Sequence, residues 1–69
     1  MNAKTKSQAI AKFRKLYQVK NEPFWVYQFP KGHWSYATTS SEVGRDLEAT
    51  GHIYKSLGIE AKQYELINA

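Results

Sequence analysis

FWVYQFPKGHWSY, residues 24–36, constrains the fold more than any other stretch, because six of the chain's ten aromatic side chains fall within these thirteen positions. Positions 24–29 and 33–39 are rich in aromatic and β-branched residues, the composition of strands. Between them, Pro30-Lys31-Gly32 suits a three-residue hairpin loop. Proline presets φ at the first turn position, and glycine takes the left-handed position that closes the loop. This loop pairs Phe29 with His33, Tyr27 with Ser35 and Trp25 with Ala37. Phe24, Val26, Gln28, Trp34, Tyr36 and Thr38 then share the other face, and a one-residue slip would reverse every facing. A half-buried hairpin needs apolar side chains on one face only. Here both faces carry aromatics. The Phe24, Val26, Trp34, Tyr36 face, with four large side chains, is expected to be core. The second face holds Trp25, Tyr27, Phe29 and His33 opposite the small Ser35 and Ala37. It has three uses open to it. It can lie under a second helix, stand open as a platform for unpaired bases, or be buried in a dimer.

The flanking segments read as helices. At 100° per residue, Ala9, Ile10, Phe13, Leu16 and Tyr17 fall within an arc of roughly 120°. Lys4, Gln8, Ala11, Lys15 and Gln18 lie opposite, with Lys12 and Arg14 on the flanks. The pattern predicts an amphipathic helix over 5–18, ended by Asn21 and Glu22-Pro23, since the residue before proline is pushed out of the α region. After the hairpin, Thr39-Ser40-Ser41-Glu42 matches a capping box. A helix is expected to follow, with Val43, Leu47, Thr50, Tyr54 and Leu57 on one arc and Arg45, Glu48, His52, Lys55 and Ser56 opposite. Gly44 and Gly51 sit seven apart at its edge. Glycine inside a helix costs about 1 kcal/mol relative to alanine, so the pair implies close approach to another backbone, or Gly51 splits the helix. Leu57-Gly58-Ile59 resembles a Schellman end. Residues 61–67 read as a last strand, with Lys62, Tyr64 and Leu66 on one face and Gln63, Glu65 and Ile67 on the other. The expected order is α-β-β-α-β: a single α+β domain over residues 1–69, frayed at 1–4, with an antiparallel hairpin and a C-terminal strand packed with two amphipathic helices.

A chain of 69 residues has room for one core and buries only about 60% of its unfolded surface. It has no cysteine, which excludes disulfides and thiolate metal sites and fits a reducing cytoplasm. No apolar run approaches the roughly 18 residues of a membrane span, and the first residues lack the apolar core of a signal peptide. The expectation is a cytoplasmic protein with no membrane partner. The net charge of +4 is segregated. Residues 1–21 hold Lys4, Lys6, Lys12, Arg14, Lys15 and Lys20 and no acid, giving +6. Residues 22–69 hold four bases and six acids, giving −2. The basic character belongs to the first helix. Such a stripe is either a footprint for a polyanion or a solvated helix face.

No catalytic signature stands out. The two histidines, His33 and His52, cannot supply the three or four ligands of a zinc site. His33 and Ser35 share a strand face, but no acid is placed to orient the histidine. Lys, Arg, Tyr and His, the residue types of small ribonucleases, are present as composition rather than as a motif. There is no phosphate loop. We expect no cofactor, no metal and no enzyme. In its size, basic first helix and lack of an active-site motif the chain looks like the accessory proteins of phages and plasmids, and that resemblance implies a protein that binds rather than catalyses. The leading expectation is a nucleic-acid-binding module, DNA or RNA. Lys4, Lys12, Arg14, Lys15 and Lys31 would contact phosphates, and Trp25, Tyr27, Phe29 and His33 would stack or anchor a partner. The alternative is an inhibitor of a host protein, anchored by Trp25, Tyr27 and Phe29. A homodimer joined through the hairpin face or an edge strand is expected with either, because small scaffolds without staples have little reserve stability.

Overall fold

The computed structural model describes residues 3–17, 22–54 and 59–68. Its elements are α1 (Lys6–Tyr17), β1 (Phe24–Gln28), β2 (Trp34–Thr38), α2 (Glu42–Ala49), β3 (His52–Tyr54), β4 (Ile59–Glu60) and β5 (Gln63–Ile67). The chain is an α+β domain in the expected order, with a small β3–β4 pair added between α2 and the last strand. The main sheet is antiparallel, in the order β2-β1-β5. Its hairpin has the expected register, Tyr27 opposite Ser35 and Trp25 opposite Ala37. The Phe29 N–H donates to the His33 carbonyl at 2.8 Å, and the Gly32 N–H donates to the Phe29 carbonyl at 2.9 Å. Gly32 has φ 111°, so the loop closes as its sequence dictates.

The aromatic hairpin is sandwiched. On one side α1 lays Ala9, Phe13 and Ile10 over Phe24, Val26, Trp34, Tyr36 and Ile67. Phe13 stacks on Phe24 at 4.0 Å and meets Tyr36 edge-on at 5.5 Å. On the other side α2 brings Leu47 and Val43 onto Trp25, Tyr27, Phe29 and Ala37. Phe24, Val26 and Leu47 are wholly buried. Each stabilises the fold by about 1.5–3 kcal/mol through removal of apolar surface from water. The second face of the hairpin is therefore covered by a helix, and the central strand β1 is buried on both sides along most of its length.

The helix ends follow from side-chain chemistry. Thr5 caps α1: its Oγ1 accepts from the Gln8 N–H at 3.2 Å, and Gln8 Oε1 accepts from the Lys4 N–H at 3.0 Å. Residues 3 and 4 are not frayed. Ala3 is buried and exchanges two backbone hydrogen bonds with Trp34, which extends the sheet beyond β2. Leu16, expected on the buried arc of α1, is exposed, and Gln18 and Asn21 lie outside the described residues.

Helix α2 departs more from expectation. Its cap is Ser41, whose Oγ accepts from the Gly44 N–H at 3.0 Å and donates to the Thr38 carbonyl at 2.7 Å. Glu42 is thus the first helical residue and not the third, so the capping box does not form in the register read from Thr39. The helix stops at Ala49. The Gly51 N–H reaches back to the Asp46 and Leu47 carbonyls, and Gly51 has φ 77°, a left-handed cap that an L side chain resists. His52 and Tyr54 consequently belong to β3 and not to a long helix. The proposed end at Gly58 lies outside the described residues. Among the described residues no helix is long and apolar enough to cross a membrane.

Candidate nucleic-acid interface

The sandwich separates charge across the sheet. The α1 layer carries Lys4, Lys6, Lys12, Arg14 and Lys15 with no acid in the helix, and the α2 layer carries Glu42, Asp46 and Glu48 against Arg45. Lys4, Lys12, Arg14 and Lys15 are all exposed. The Arg14 guanidinium carbon lies 6.0 Å from the centroid of the Phe24 ring, a cation–π arrangement at an exposed side chain. Lys6 is engaged by Glu65 of β5. The twelve-residue helix is about 18 Å long, and its solvent-facing arc carries Lys15 with Lys12 and Arg14 on the flanks. Small residues, Ser7 and Ala11, occur between the charged positions of the helix. Arg14 and Lys15 also fall in the last turn of α1, where the helix dipole favours positive charge. Lys20 lies outside the described residues.

The aromatic residues divide. Trp25 is 9% exposed and Tyr27 4%. Both are packing residues under α2, and neither forms the open platform or partner anchor expected of it. The physical reason is that Leu47 and Val43 give α2 an apolar stripe that needs the same surface. The Trp25 indole N–H meets no acceptor among the described residues. Phe29 and His33 are different. They stand half-buried at the hairpin tip, stacked at 4.3 Å with an interplanar angle of 24°. Exposed Lys31 stands at the turn between them. The bridge between Ala3 and Trp34 brings Lys4 to this same end of the sheet, beside the tip.

Tyr64 and Leu66, 47% and 39% exposed, are surface features that the sequence reading did not single out. They lie on β5, a strand that pairs with β1 alone among the described residues. The available signal was the alternation of residues 61–67, but nothing in it shows that the strand takes an edge. Among the described residues no three His, Cys, Asp or Glu side chains gather where a cation could be held. Comparison with protein-family models, with curated proteins and with solved structures finds no match.

Proposed function

We propose that the protein is a non-enzymatic nucleic-acid-binding module that contacts phosphates through the exposed face of α1. The observation that supports this reading is the segregation of charge across the sheet: α1 is acid-free and cationic, and the helix on the opposite face is net acidic. A long polyanion is attracted to the first layer and repelled by the second, which orients the encounter. Such contacts position the partner without reading its sequence. Anisotropy titrations of labelled single- and double-stranded oligonucleotides at low and moderate salt test the reading, and absence of binding at low salt rejects it. Neutralising Lys15 or Arg14 weakens affinity for every sequence alike and lowers the salt slope by about one per lost contact.

A second reading, an accessory protein that binds and inhibits another protein, is favoured by exposed Tyr64 and Leu66 on an edge strand. Trp25 and Tyr27 no longer supply its anchors. It predicts weak, non-saturating oligonucleotide titrations and co-purification of one protein, lost in Leu66→Asp. The same edge suits a second copy of the chain in a homodimer.

A further inference from the structure

The hairpin tip has properties that phosphate contacts along α1 do not explain. Two flat rings stack where the sheet runs out, with Phe29 packed at the rim of the Trp25–Tyr27–Leu47 cluster and left half-buried there, and His33 half-buried beside it. The Tyr27 ring meets Phe29 edge-on at 5.3 Å. The loop is braced from below. The Gln28 side-chain amide donates to the Gly32 carbonyl at 2.9 Å, and Gln28 Oε1 accepts from the Gln63 amide at 2.9 Å. The tip is thus a fixed surface on the sheet. Phe29, Pro30, Lys31 and His33 line a shallow, open depression of about 250 Å³. That is below the roughly 300–1,000 Å³ of pockets that enclose drug-sized ligands, and it suits one planar ring system. No acid occurs from position 24 to position 41, while Lys31 is at the turn and Lys4 at the same end of the sheet.

We propose that this tip seats one unpaired nucleobase, which extends the Phe29–His33 stack while Lys31 meets an adjoining phosphate. The inference rests on the α1 reading and sharpens it: the favoured partner is single-stranded nucleic acid. In a duplex both faces of a base are already stacked within the helix. A base free of its partner strand can exchange water for an aromatic face, a contact that tolerates any base because each has a π-face.

The test uses Phe29→Leu, which keeps apolar bulk and removes the ring, with a labelled oligothymidylate, the same strand annealed to its complement, and the same strand carrying abasic positions. Phe29→Leu weakens binding of the intact single strand by about tenfold and leaves the duplex and the abasic strand unchanged. Phe29→Trp retains the platform. It binds the single strand at least as tightly as the wild type, and its new indole is quenched on titration, which keeps the test decisive if the leucine variant misfolds. Equal loss on intact and abasic strands overturns the base seat. So does indifference of the single strand to Phe29→Leu, which leaves the tip to contacts with a protein. In either case wild-type binding to duplex at low salt preserves the α1 reading. Wild-type protein that binds no oligonucleotide at low salt removes both.

Discussion

A methyl group at position 44 would sit 2.1 Å from the Thr38 carbonyl oxygen, a backbone atom with nowhere to go. Gly44→Ala gains about 1 kcal/mol of helix propensity and loses more to overpacking, so urea unfolding is expected to show a net loss of about 2 kcal/mol. Alanine at position 51 is opposed twice, by φ 77° and by the Tyr64 hydroxyl 2.9 Å away. Trp25 presents the reverse case. Its buried indole N–H has no acceptor among the described residues, and such a donor costs about 1–3 kcal/mol. Trp25→Phe removes that donor along with some apolar area. Its stability is expected to lie within about 1 kcal/mol of the wild type, because the two changes oppose each other.

At the scale of elements, the start of α2 depends on one hydroxyl. Ser41 Oγ closes the first turn and ties it to the end of β2. Ser41→Ala is expected to cost about 1 kcal/mol, and hydrogen exchange should show faster opening at the start of α2 while α1 is unaffected. How far each element could be read beforehand tracks how local its determinants are. The β1–β2 register was legible because Pro30 and Gly32 fix the loop, and the loop fixes every pair beyond it. Helix α1 was legible because Ala9 and Phe13 recur at helical spacing with no breaker between them. The end of α2 was legible only as an alternative, that Gly51 splits the helix, because Tyr54 and Leu57 continue the helical period past it and the β3–β4 pairing is too short to leave a pattern. The place of β5 beside β1 rests on contacts between distant segments, and alternation within one strand cannot name its neighbour. At the candidate site the cations were legible from charge alone. The burial of Trp25 and Tyr27 was not, because it depends on which helix claims the second face.

For the whole molecule, the far edge of β5, which pairs with β1 alone among the described residues, is where a second copy is expected to add. Unpaired strand edges invite another strand, and Tyr64 and Leu66 add apolar surface beside this one. A two-fold axis at β5 would continue the sheet from one protomer into the next. Sedimentation equilibrium is expected to show a concentration-dependent dimer at micromolar protein, reduced to monomer by Leu66→Lys. A mass near 8.0 kDa at all concentrations rejects it. The order of the sheet also governs how the molecule comes together in time. Strand β1 can zip to β2 at once across a short loop, but its other side pairs the chain's twenties with its sixties, Phe24 opposite Ile67. Closing that long excursion carries an entropic cost that the local hairpin avoids. Closure cost grows only by about 0.6 kcal/mol per doubling of length, so lengthening the chain between β2 and β5 should slow refolding only modestly, and changes in the cationic face of α1 should hardly alter it. The long-range β1–β5 closure and the surface proposed for binding reside in different parts of the chain, so each can be altered while the other is left intact.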